Sequence, residues 1–141
     1  MSGTSSMSLY EVLDLLAQNS DRIDTLWNMF IGVHLAVLGG LIVLPMRVHW
    51  FEKVLAICGY AAFAFINRNG VVDTYNYHFA LLDEVNRLSP DAQETGRIVV
   101  DYLHRFDLRS KLWYLTYVHP AAAVVVVGAI TFANRFVAPA K

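Results

Sequence analysis

Two histidines and a tyrosine are the most chemically capable side chains in this sequence, and each stands inside a strongly apolar run. His34 lies in MFIGVHLAVLGGLIVLP (29–45), Tyr60 in VLAICGYAAFAFI (54–66) and His119 in YVHPAAAVVVVGAITF (117–132). Neutral imidazoles on facing helices can supply both axial ligands of a b-type haem. With a tyrosine they can hold a quinone or relay protons, since histidine titrates near physiological pH and ionisable groups at membrane depth tend to mark pathways. They can also simply hydrogen-bond across a bundle and hold helices together. This last role demands least of the residues and is the one expected for His34, Tyr60 and His119, with haem b, a quinone or a proton pathway as the alternatives.

These roles need the three side chains at one level. If the first run enters the bilayer near Leu26, His34 sits about 12 Å down at about 1.5 Å per helical residue. Counted from Trp113, His119 lies about 9 Å down, and counted back from Ile66, Tyr60 also falls at about 9 Å. The spacing therefore predicts one shared layer. Pro120 sharpens it, because its ring excludes the Thr116 carbonyl from the helical ladder. That carbonyl then needs a donor, which His34, Tyr60 or a water could supply, and Pro120 becomes a candidate hinge.

Packing surfaces are legible too. Gly32, Ala36 and Gly40 recur every four residues, a small-residue stripe that permits close backbone approach. Gly128, among Ala121, Ala122 and Ala129, offers the third run a similar surface. His34 lies about 200° around the helix from Gly32. If His34 points inward, the stripe is free for a subunit interface; if the stripe packs inside, His34 needs a partner outside.

The polar part of the chain offers less chemistry. His78, Asp83, Glu84, Asp101 and His104 fall on two successive helical segments. A bundle di-metal site needs Glu-x-x-His twice plus two further glutamates, which are absent, so no metal site is expected. No phosphate-binding loop, nucleophile elbow, CxxC pair or HExxH motif occurs. No catalytic residue is assigned, and the chain is not expected to be an enzyme.

Composition decides which solvent must position these residues. Of 141 residues, 56% are hydrophobic and 16% charged, against about 45–50% and about 25% in soluble domains. A net charge of −1 without a basic arm gives no case for nucleic acid, and the single Cys58 excludes an internal disulfide. The first 24 residues lack the basic region and cleavage site of a signal peptide, so the first apolar run is expected to stay as an anchor.

The pattern predicts an all-α integral membrane protein forming one membrane domain over 1–141. Ser8 and Glu11 form a capping box that opens a short amphipathic helix over 8–18. It is expected to pack against the protein's own polar segment rather than on lipid. Transmembrane helices are expected over 26–45, 50–66 and 112–134, with Trp27, Phe30, Trp50, Phe51 and Trp113 at the interfaces. The middle one is short enough to need Lys53 and Arg68 to snorkel. Between the second and third, 70–106 reads as a polar helical hairpin that continues them outward. Its first arm carries Val71, Val72, Tyr75, Phe79, Leu82, Val85 and Leu88 on one face; its second starts at Ser89-Pro90-Asp91 and carries Ile98, Val99, Tyr102, Leu103 and Phe106.

Three crossings put the N-terminus and the hairpin on one side, A, and the 46–53 loop and the C-terminus on the other, B. The density of basic residues on side B's short segments tilts side B toward the cytoplasm. The function expected is assembly in the lipid bilayer, as a homo-oligomer or an accessory subunit of a membrane complex. A redox subunit using His34 and His119, and a small oligomeric pore, are the alternatives. The expected location is a cell membrane, of the bacterial inner-membrane kind.

Overall fold

The computed structural model describes residues 7–43, 48–88 and 113–135. They form α1 (Leu9–Val43), α2 (Trp50–Leu88) and α3 (Trp113–Phe132), the last followed by a 3₁₀ turn over Ala133–Arg135. The described residues contain no strand. All three helices are long and apolar enough to cross a membrane. The second hairpin arm, with Asp101 and His104, lies outside the described residues.

α1 corrects one expectation. The amphipathic helix over 8–18 and the apolar helix over 26–45 are not separate, for α1 runs unbroken through 35 residues to Val43. Nothing between them can stop a helix: residues 17–25 contain neither proline nor glycine. Ser20 and Thr25 fold their hydroxyls back onto the carbonyls of Leu16 and Asp21, at 3.0 and 2.8 Å, instead of capping a new helix. The expected capping box does open α1. The Glu11 amide donates to Ser8 Oγ at 3.3 Å, while the Ser8 amide and hydroxyl donate to Glu11 Oε2 at 2.7 and 2.9 Å and hold the Glu11 carboxyl below its usual range.

α2 likewise joins the expected 50–66 crossing to the first hairpin arm in one 39-residue helix, the outward continuation anticipated from the sequence. Its buried residues fall in two series seven apart: Tyr60, Asn67, Thr74 and Leu81, and Val71, His78 and Val85. On α1, Val12, Leu16, Asn19, Ile23, Phe30 and His34 are buried, with half-buried Leu26 completing alternating steps of four and three as far as Phe30 and one further step of four to His34. Such steps define a coiled-coil seam. Partners descend α2 as they ascend α1: Val12 and Leu16 cluster with Leu81 and Val85, Asn19 bonds to Thr74, Leu26 to Asn67, and His34 to Tyr60. The pair is therefore antiparallel and in register over most of its length.

The buried face of α2 is rotated from the stripe expected in the hairpin arm. Val71 and Val85 are buried, but Val72, Tyr75, Phe79, Leu82 and Leu88 are only half-buried, and Thr74 and His78 take the seam positions instead. Thr74 fits because its hydroxyl donates to the Gly70 carbonyl at 2.6 Å, leaving its own carbonyl for Asn19 Nδ2 at 3.1 Å. α3 covers the apolar end of the pair, where Val126 and Ile130 close a core with Tyr60. Two contacts fasten its far end. Lys53 Nζ donates to the Thr131 carbonyl at 2.9 Å. Asn134 exchanges two bonds with the backbone of Val48, at 2.9 and 3.0 Å.

Candidate functional site

The predicted layer forms, and its centre is a hydrogen bond. His34 sits on the seam face of α1, where Nδ1 lies 2.6 Å from the Phe30 carbonyl and Nε2 lies 2.6 Å from the Tyr60 hydroxyl. A carbonyl can only accept, so Nδ1 carries the proton. Nε2 of the neutral ring must then accept from the Tyr60 O–H, which fixes the tautomer. Both side chains are buried, Tyr60 at 5% exposure and His34 at 9%.

His119 reaches the same cluster from α3 without joining that bond. Its ring centroid is 3.9 Å from that of Phe30 and 5.1 Å from that of Trp27, while Phe30 is 4.0 Å from His34. Phe30 thus touches both imidazoles. His119 is only 3% exposed, and neither of its nitrogens has a hydrogen-bond partner among the described residues. The layer is therefore one engaged pair, His34 with Tyr60, beside one unengaged imidazole, His119, with aromatic faces between.

This arrangement limits the chemistry. An axial ligand needs a free nitrogen lone pair. The only lone pair on neutral His34 is committed to Tyr60, and its other nitrogen is protonated onto Phe30. The two histidines as placed do not fit the ligation of one iron. A relay needs successive hydrogen bonds, and none joins His34 to His119. Nor can His34 or Tyr60 serve the carbonyl that Pro120 displaces from the ladder, since each proton they carry is already donated. α3 stays helical through Pro120. Among the described residues no group of three or more metal-ligating side chains occurs.

His34 pointing inward resolves the stripe. Gly32 is exposed and a Cβ built there or at Gly128 meets nothing within 4 Å, whereas exposed Ala36 lines a groove between α1 and α2. Gly40, half-buried, has the same open space but faces this groove, of about 680 Å³.

Several functional side chains escaped the sequence reading. Phe30 and Trp27, read as interface markers, are the packing centre of the layer, and Trp27 Nε1 donates to the Tyr75 hydroxyl at 3.3 Å. Asn67, buried at 4% exposure, donates from Nδ2 to the Leu26 carbonyl at 3.2 Å, while its Oδ1 has no partner among the described residues. The signal available was its spacing of seven from both Tyr60 and Thr74. No family model, no curated protein and no solved structure matches the chain, so any functional reading rests on this geometry.

Proposed function

We propose that this chain is a non-catalytic, multi-pass integral membrane protein that works by assembly, as a homo-oligomer or as an accessory subunit of a membrane complex. Residues 26–43, 50–67 and 113–132 cross the bilayer, and residues 9–25 with 68–88 stand outside it as a two-helix arm. The membrane is a cell membrane of the bacterial inner-membrane type.

One observation supports assembly above the alternatives: His34 is turned into the protomer, which leaves the Gly32 face outward with open space over it. In lipid, where hydrophobicity gives helices no reason to associate, close backbone approach over small residues supplies much of the attraction. The redox and pore alternatives lack such support, because His34 offers neither a free ligand nitrogen nor a link to His119.

Native mass in mild detergent tests the reading, with an absorption spectrum of the same sample. The wild type is expected to run as a colourless oligomer, and Gly32→Leu to shift it toward monomer by about tenfold in apparent affinity. A wild-type monomer in native membranes would sink the homo-oligomer, and a Soret band would restore the haem alternative.

A further inference from the structure

The groove between α1 and α2 has a shape that assembly through Gly32 does not use. Small residues carve it from both walls, Ala36 and Gly40 on α1 and Ala56 and Gly59 on α2. A Cβ at Gly40 or at Gly59 would meet nothing within 4 Å. Ile130 of α3 and Ala133 of the turn after it belong to the same lining. At about 680 Å³ it falls within the range of small-ligand sites, about 300–1,000 Å³.

Its two ends differ. One lies at the level of Tyr60, whose hydroxyl ties α2 to His34 of α1 at 2.6 Å, with Val33 and Phe63 lining it just beyond. At the other end stands Glu52, the one carboxylate among the lining residues. Glu52 is held there by the start of α2, where its Oε2 accepts the His49 amide at 2.8 Å, as a carboxylate at a helix N-terminus should. Next to it in the chain, Lys53 uses one ammonium proton on the Thr131 carbonyl and keeps two. The exposed Trp50 and Phe51 mark this end as the interface.

We infer that this groove binds a phospholipid of the side-B leaflet, seating one acyl chain between α1 and α2 and setting a primary ammonium head group against Glu52. The inference rests on the membrane placement proposed above but not on assembly. From Glu52 to Phe63 the groove runs about 16 Å at about 1.5 Å per residue, which is about half of a 30 Å hydrocarbon core and so one leaflet. A partner helix needs a track across the whole core, and the lining stops at Val33 and Phe63, short of the Asn67–Leu26 bond. Charge decides the head group. A carboxylate accepts hydrogen bonds from a primary ammonium but not from a quaternary one, and the free protons of Lys53 suit the adjoining phosphate.

The test is native mass spectrometry of the gently extracted full-length protein, incubated with ethanolamine-, choline- or glycerol-headed phospholipids of identical chains. One ethanolamine-headed lipid should be retained, with a preference of about fivefold, the scale of one interfacial ion pair. Gly59→Leu and Ala56→Leu, which fill the groove from α2 and leave the Gly32 face untouched, should each cut retention about tenfold. Glu52→Gln should keep the lipid and level the three head groups. Retention unchanged in both groove-filling variants overturns the proposal, and so does a head-group preference that survives Glu52→Gln. Rapid disulfide cross-linking of Gly59→Cys in a Cys58→Ser background would instead put a second copy in the groove. Release of the protein from membranes by alkaline carbonate would overturn the membrane placement itself, whatever the lipid result.

Discussion

From residue 9 to residue 34, α1 lies against α2 through side chains that interlock at heptad spacing, whereas beyond that point the same helices part around a groove. In the outer stretch Val12, Leu16, Leu81 and Val85 bury themselves almost completely, at 0–6% exposure. Nearer the end of α1, Leu35 is 66% exposed and Ile42 83%. On the membrane placement proposed above, residues 9–25 of the closed stretch meet water and the open stretch meets lipid, and the solvent bears on the difference. In water, fully burying a valine or leucine contributes about 1.5–3 kcal/mol, so apolar seam residues close on one another. In lipid that gain vanishes, and helices hold where polar groups meet. The apolar half is joined by His34–Tyr60, Lys53–Thr131 and Asn134–Val48 and by the Tyr60–Val126–Ile130 core, and beside these contacts the groove stays open.

The sharpest way to break this comparison is to remove apolar volume from the closed half. Leu16→Ala should destabilise the arm by about 2–4 kcal/mol, the transfer term plus the cavity. Hydrogen exchange of the amides in 9–25 and 68–88 should accelerate accordingly, with the amides of 113–132 unchanged. Equal acceleration in α3 would mean that the two halves unfold as one unit, and the distinction drawn here would fail.

At the junction the effect should be smaller and polar in origin. Tyr60→Phe removes only the hydroxyl, leaving His34 Nε2 buried without a donor, at a cost of about 1 kcal/mol. Adding His34→Leu should recover part of that loss, because no unpaired acceptor then remains. A double-mutant cycle by equilibrium unfolding in mixed micelles reads the coupling. Strictly additive changes would remove the His34–Tyr60 bond from the account of how the halves meet.

How far the sequence exposed this contrast depends on which residues carried it. The three apolar runs and the level of His34, Tyr60 and His119 could be counted, because helical rise is fixed and charges bound the runs. The continuity of α1 was hidden, since the mostly polar stretch 17–25 separates the amphipathic and apolar runs, and Asn19 finds its partner, the Thr74 carbonyl, only on a facing helix. The seam of α2 was hidden for the same reason. Asn67, Thr74 and His78 are tolerated inside it because backbone groups and neighbouring rings receive them, whereas a hydropathy pattern discards them and selects the stripe one step around, through Val72, Tyr75 and Phe79. Polar residues at heptad spacing were the only sign. The groove was only half legible: Ala36 and Gly40 stood out as a small-residue stripe, but that Ala56 and Gly59 face them depends on how the two helices meet.

His78 supplies the smallest and most selective probe, because it tests whether the closed half can be loosened alone. The ring is 8% exposed within the seam, and Nδ1 has no partner among the described residues. Burial holds its pKa below the ordinary 6.5, because desolvation disfavours the charged form. Above pH 6.5 the ring is neutral whether the arm is closed or open, and it contributes no pH dependence. As pH falls below 6.5 the open arm takes up the proton and the closed arm does not, so closure weakens until the lowered pKa is reached. Arm amides, corrected for intrinsic exchange, should therefore open more readily at pH 5 than at pH 7.5. His78→Leu should remove that difference, while α3 amides stay indifferent to pH in both proteins. An arm whose protection is the same at both pH values would show that the imidazole reaches water, and that the seam at this position is looser than its geometry requires.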